Sequence, residues 1–207
     1  MALGRTALVS LIVLAGPELI WAQQTTATRA GAAHPPPPVA EQIAAAVLPL
    51  PEQFRASATV LGYGPKGGLQ ELRRGTGPFV CLASDPAGER FHVACYHRSL
   101  EPFMARGREL RAKGVKGQQV DSTRFAEVRA GKLRMPDHPA ALYSLTGPAG
   151  AFDPKSGTAP KARPLFVIYV PNATPATTGL SPQPIEGSPW LMDPGTPKAH
   201  IMFVPRM

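Results

Sequence analysis

Cysteine is scarce in this chain, with Cys81 and Cys95 the only two among 207 residues. Their spacing matches neither a zinc finger nor a zincin motif. Long apolar runs are also scarce. The run Ala7–Ala15 is too short to span a membrane as a helix. No later apolar run approaches the length that a membrane span needs. The sequence therefore predicts no transmembrane segment after the first 22 residues.

Acidic residues are few and scattered, 14 against 22 lysines and arginines. No pair of carboxylates is spaced for general acid–base catalysis. The chain also lacks a G-x-S-x-G nucleophile motif, a phosphate-binding loop and a dinucleotide fingerprint. These absences exclude the hydrolase and nucleotide-binding classes that such motifs define.

The excess of basic residues is concentrated in the segment 90–134, which holds eleven basic residues and four acids. A basic surface attracts anions, so an anionic envelope component is one candidate partner. The other interpretation is a solvated charged surface, because the basic residues form no narrow stripe on a helix. Nucleic-acid binding is not predicted, since aromatic residues are not interleaved with the basic ones.

The N-terminal residues have the pattern of a signal peptide, with Arg5 before the apolar run and a small residue, Ala22, at the expected cleavage site. An uncleaved N-terminal anchor is the alternative. No cysteine follows the run to accept a lipid anchor. Residues 23–38 are polar, small or proline, which predicts a disordered linker. Residues 39–207 are expected to form a single domain located in the periplasm or outside the cell.

A β-hairpin followed by a helix is predicted in the middle of the chain. The runs Phe79–Ala83 and Phe91–Tyr96 flank turn-forming residues, which favours two antiparallel strands. Ser99 is placed to cap a helix that ends at Gly114. The helix is expected to bury an apolar stripe made of Leu100, Phe103, Met104 and Leu110. Gly107 lies on the same stripe, which predicts that a neighbouring element approaches the helix closely there.

The rest of the chain predicts an α+β fold, with a mostly antiparallel sheet, two or three helices and a loop-rich C-terminal half. A second helix is expected from Asp121 or Ser122 to Ala130. The run Leu165–Val170 is apolar throughout, as in a central strand buried on both faces. Shorter elements are predicted as a helix at 41–47 and strands at 58–63, 69–73, 141–145 and 200–204.

The two cysteines have three alternative interpretations. A disulfide between Cys81 and Cys95 is the simplest, because an exported chain with two cysteines in one hairpin brings them together. The second is a zinc or copper site that uses these cysteines with His97 and His200. The third is a cysteine–histidine nucleophile, which a disulfide would remove. Strand alternation places His97 on the face of Cys95 and His92 on the other face. His200 has a simpler interpretation, a hydrogen bond to the backbone.

Two segments carry a resemblance to a known family. The segments Arg74–Cys81 and Gly187–Met202 resemble the two ends of a family of uncharacterised secreted bacterial proteins. In that family a G-T-x-x-x-x-C segment opens the domain and a G-T-P-x-A-H-[IL]-M strand closes it. The resemblance spans about Thr59 to Val204 and implies export and one folded unit, without an activity. Relatives carry Pro-His-Ile-Met in the penultimate strand, whereas Pro164–Ile168 has no histidine here, which weakens a two-histidine site.

Together these observations favour an exported binding or envelope-associated module that is not an enzyme and needs no cofactor. Its partner would be an anionic envelope component or a small ligand. His97, His200 and His92 are the candidate ligand-binding or metal residues. The alternative is a small metal-dependent hydrolase or oxidoreductase that uses His97 and His200 with a cysteine.

Overall fold

The structure, a computed structural model, describes residue 1 and residues 35–65, 67–185 and 187–205. The expected signal peptide and most of the linker lie outside the described residues. Residues 35–38 precede the first helix without regular structure. The helices and strands of the described residues belong to one compact unit within residues 31–207. Within the described residues, no helix has the length and apolar character needed to cross a membrane.

An eight-stranded sheet forms the centre of this unit, in the order β2-β1-β3-β4-β5-β6-β8-β7. Only β1 and β3 pair in parallel, and all the other neighbours are antiparallel. The predicted α+β fold with a mostly antiparallel sheet is therefore confirmed. The strands are β1 Thr59–Tyr63, β2 Leu69–Arg73, β3 Phe79–Leu82, β4 Arg90–His97, β5 Ala140–Pro148, β6 Arg163–Tyr169, β7 Trp190–Met192 and β8 His200–Phe203.

Among the described residues, five α-helices accompany the sheet, and three of them have eight or more residues. The three longer helices agree with the two or three that the sequence predicts. The helices are α1 Val39–Ala46, α2 Glu52–Arg55, α3 Glu101–Ala112, α4 Gln118–Arg129 and α5 Pro175–Thr178. Loops between β5 and β6 and between β6 and β7 account for much of the C-terminal half, as expected.

The two faces of the sheet bury different partners. On the disulfide face, which carries Cys81 and Cys95, α1 and the residues after it pack through Ala46, Val47 and Leu50. The opposite face, called here the helix-pair face, packs against the start of α3. Its buried residues are Val80, Tyr96, Leu100, Ala140, Val167 and Tyr169. Strand alternation accounts for this division, because neighbouring residues along a strand point to opposite faces.

Helix α3 docks on the sheet and on α4 as its apolar stripe predicts. Leu100 and Phe103 are fully buried and Leu110 is nearly so, whereas Met104 is half-buried. The close neighbour expected at Gly107 is Arg124 of α4. A Cβ atom added to Gly107 would lie 2.9 Å from the Nη1 of Arg124. A side chain at position 107 would therefore displace this arginine.

Three local predictions are wrong. The helix after β4 is not capped by Ser99, because a 3₁₀ turn at Arg98–Leu100 precedes α3 and the side chain of His97 accepts a hydrogen bond from the backbone N–H of Ser99. Helix α4 begins at Gln118, three residues before Asp121. Strand β6 is buried on one face only, since Val167 and Tyr169 are buried whereas Phe166 and Ile168, on the other face, are exposed.

Candidate functional site

The two cysteines form a disulfide at the centre of the sheet. Cys81 and Cys95 are directly opposite in the β3–β4 pairing and are both fully buried. The Sγ of Cys95 lies 3.1 Å from the carbonyl oxygen of Ala46, so α1 packs directly on the bridge. The predicted disulfide is confirmed. Neither sulfur is a thiolate while the bridge is intact, so neither is available as a nucleophile or as a thiolate ligand.

His97 and His200 lie on opposite faces of the sheet. His97 pairs with Phe79 of the disulfide face, whereas His200 pairs with Tyr169 of the helix-pair face. The Nδ1 of His200 is 2.8 Å from the carbonyl oxygen of Lys198, and its ring stacks on Tyr169 at 5.2 Å. His200 therefore forms a hydrogen bond to the backbone, as its simpler interpretation predicts. The structure does not bring the two residues together in one site.

His92 lies near the other end of β4 from His97. As expected, it is on the face opposite Cys95, and its Nδ1 is 2.8 Å from the Oγ1 of Thr146 on the neighbouring strand. Burial and the nearby Arg90 lower its pKa. The contacts of His92 therefore involve neither His97 nor His200.

His138, which lies just before β5, meets one of the candidate histidines. The ring of His138 lies 6.0 Å from that of His97, edge to face. The Nδ1 of His138 is 2.8 Å from a carboxylate oxygen of Asp137, and the Nδ1 of His97 is 2.8 Å from the Oγ of Ser99. The two rings meet because β5 starts beside the end of β4. Across the described residues, no three His, Cys, Asp or Glu side chains converge as a metal site would require.

Four of the eleven basic residues in the segment 90–134 form ion pairs within the described part of the chain. All four of its acids form salt bridges: Arg108 with Glu101, Arg106 with Glu109 and Glu127, Lys113 with Glu109, and Arg124 with Asp121. Arg98 donates hydrogen bonds to the carbonyl oxygens of Gly75 and Gly77. These contacts favour a structural role for many of the basic residues.

A cleft of about 240 Å³ lies between α1, the 84–89 turn and the 149–154 loop. Its floor is apolar, with Phe91 buried and Phe152 half-buried, and Ala45 and Ala83 lie beside them. The turn has the form that its sequence predicts, because the N–H of Ala87 donates to the Asp85 side chain and that of Gly88 to the Asp85 carbonyl oxygen.

The rim of this cleft carries three charged side chains, Glu41, Asp85 and Arg90. None of them forms an ion pair with another described residue. Glu41 is half-buried, whereas Asp85 and Arg90 are exposed. Two carboxylates and one guanidinium at the edge of an apolar floor can hold a small molecule that has an apolar body and a charged end.

Sequence reasoning did not identify this cleft, although it predicted the turn that forms one wall. Glu41, Asp85 and Phe152 are separated by 44 and 67 positions in the chain, and no local pattern links them. Comparisons with protein-family models, with curated proteins and with solved structures find no match to this chain.

Proposed function

We propose that this chain is an exported binding module, without enzymatic activity, that holds a small amine with an apolar body in the cleft beside α1. The observation that carries the proposal is the combination of an apolar floor with two carboxylates, Glu41 and Asp85, that lack ion-pair partners among the described residues. The ligand would place its apolar body on Phe91 and Phe152 and its ammonium group at the rim.

The size of the cleft limits the ligand. Cavities for drug-sized molecules are typically about 300–1,000 Å³, and this one is about 240 Å³. A ligand with a single ring or a short aliphatic chain fits that volume.

The charges at the rim favour a cation over an anion. Glu41 and Asp85 supply two negative charges against the one positive charge of Arg90. A carboxylate ligand would meet two repulsive groups and one attractive group. An amine meets the reverse, and a zwitterion could use Arg90 for its carboxylate.

The proposed location is the periplasm or the cell exterior. The signal-peptide pattern in residues 1–22 supports it, and a buried disulfide persists more readily in an oxidising compartment. The resemblance to secreted bacterial proteins points the same way. Under this proposal the domain would meet its ligand outside the cytoplasm.

Calorimetric titration with phenethylamine tests the proposal, with phenylacetate as the matched anion of similar size. We expect phenethylamine to bind and phenylacetate to bind at least about tenfold more weakly. Glu41→Gln and Asp85→Asn should each weaken amine binding, and Phe152→Ala should weaken it through the lost ring contact. Glu52→Gln, on exposed α2, is the control that should leave binding unchanged.

Two results would contradict the proposed ligand class. The first is a wild-type protein that binds neither probe. The second is amine binding that survives Glu41→Gln, Asp85→Asn and Phe152→Ala as well as it survives the control.

A further inference from the structure

Part of the disulfide face is apolar and has no helix over it in the part of the chain that the structure describes. Six side chains on β5, β6 and β8 form two rows across the three strands, one row Tyr143, Phe166 and Phe203, the other Ala141, Ile168 and Ile201. We call these six residues the open face. Directly paired residues of an antiparallel sheet share a face, so the six side chains point to the same side.

The open face continues an aromatic series that begins at Phe54 in α2. Ring centroids are 5.1 Å apart from Phe54 to Phe79, 5.8 Å from Phe79 to Tyr143, 5.6 Å from Tyr143 to Phe166 and 6.5 Å from Phe166 to Phe203. Helices α1 and α2 cover the beginning of this series. The rest of the series, beyond Tyr143, has no helix over it among the described residues.

Strand β6 shows the contrast between its two faces. Val167 and Tyr169, on the helix-pair face, are 6% and 7% exposed. Phe166 and Ile168, on the open face, are 36% and 44% exposed. Large apolar side chains at this exposure, side by side in a central part of the sheet, indicate a surface that a partner covers.

We propose that the open face is the interface of a homodimer in which two copies of this chain pack sheet on sheet about a twofold axis. In such an interface the same residues of both copies meet each other. Two sheet faces pack about 10 Å apart with their side chains interdigitated, as in the core of a β-sandwich.

The composition of the open face favours a second copy over a different partner. All six residues are apolar or aromatic, and none carries a charge that would select a complementary charge on another protein. An uncharged apolar face is complementary to a second copy of itself. A second copy of the chain carries the same face and is always present at the same concentration as the first.

The area fits the apolar core of an interface of ordinary size. Phe166 and Ile168 are exposed and the other four side chains are half-buried, so the six present about 200–400 Å² of apolar surface on each copy. Stable interfaces bury about 800 Å² per partner, with an apolar core inside a polar rim. The open face supplies such a core, and the residues around it supply the rim.

Net charge adds a second, independent expectation. Each copy carries a formal net charge of +8, so two copies repel each other. Added salt screens this repulsion and does not weaken apolar contacts. Dimerisation should therefore strengthen as the salt concentration rises, the opposite of an association that ion pairs drive.

Sedimentation equilibrium of the full chain tests the proposal, with two variants that make the same change at different places. Ile168 in the open face and Ile185 in a loop are 44% and 45% exposed. We expect Ile168→Thr to raise the dimer dissociation constant at least about tenfold and Ile185→Thr to leave it unchanged. Thermal unfolding of both variants checks that each is folded.

Three outcomes would overturn the proposal. One is a wild-type chain that stays monomeric up to about 1 mM at high salt. Another is a dimer equally weakened by both variants, or by neither. The third is open-ended association into larger species, because a twofold interface closes at two copies.

Discussion

Two buried cysteines join β3 to β4 at the centre of the sheet. Their Cα atoms are 4.0 Å apart in directly paired positions, and α1 covers the bridge. A bridge in this position restricts the unfolded chain without requiring any rearrangement of the folded hairpin.

We expect replacement of both cysteines by alanine to lower the free energy of unfolding by about 3 kcal/mol, because the bridge closes a loop of 14 residues. Urea unfolding of the double variant and of the oxidised wild type measures the difference. Equal unfolding midpoints would contradict a stabilising bridge.

The intact mass of protein recovered from the periplasm tests the state of the bridge and the expected export together. We expect a chain that begins at Gln23 and that takes up no alkylating label when it is denatured without reduction. A chain that begins at Met1, or one with two labelled cysteines, would contradict the respective prediction.

At the scale of elements, the α3–α4 pair depends on one buried aromatic ring and one buried arginine. Phe103 is fully buried, and the guanidinium of Arg124 lies 3.9 Å from its ring centroid. Arg124 also donates to the carbonyl oxygen of Phe103 and pairs with Asp121. Lys198, from the loop before β8, reaches the same carboxylate at 2.9 Å, so Asp121 connects the helix pair to the C-terminal part of the sheet.

We expect Phe103→Ala to cost about 3–5 kcal/mol of stability, because it removes a fully buried ring and leaves a cavity beside Arg124. Met104→Ala is the neighbouring control and should cost less, since Met104 is only half-buried. Chemical unfolding of both variants provides the comparison. If the two substitutions cost the same, Phe103 is not the anchor of the helix.

For the whole molecule, three histidines link folding to pH. Burial and Arg90 lower the pKa of His92, and burial and His138 lower the pKa of His97. Burial also lowers the pKa of His200 and outweighs the opposing hydrogen bond to the Lys198 carbonyl oxygen. The unfolded chain, with histidine pKa values near 6.5, therefore binds more protons than the folded chain as the pH falls through that value.

The sign of the pH effect follows from this difference. Stability that is fully present above about pH 6.5 should be lost as the pH falls through the lower pKa values of the folded histidines. We expect the thermal midpoint to be lower at pH 5 than at pH 7, and His200→Gln to reduce the difference. Calorimetry at both pH values measures the change, and an equal or higher midpoint at pH 5 would contradict the linkage.

Local sequence patterns were sufficient to predict most of the helices and strands. Alternation and turn residues located the β3–β4 hairpin, and the parity of β4 placed His97 and His92 on the correct faces. The stripe predicted three buried residues correctly, Leu100, Phe103 and Leu110, whereas Met104 is half-buried. The start of α3 was wrong because the capping group came from a side chain, His97, that belongs to the preceding strand.

The sequence by itself determined the fold class, the disulfide and the buried face of α3, because each depends on residues close together in the chain. Only the tertiary structure decided which histidines meet, which charges are paired, and which faces are covered. Apolar composition predicted that β6 is buried on both faces, yet whether Phe166 and Ile168 are buried depends on where α1 and α2 pack. The position of these helices is fixed only when the whole sheet is assembled. The same holds for the cleft, because Glu41, Asp85 and Phe152 are far apart in the sequence.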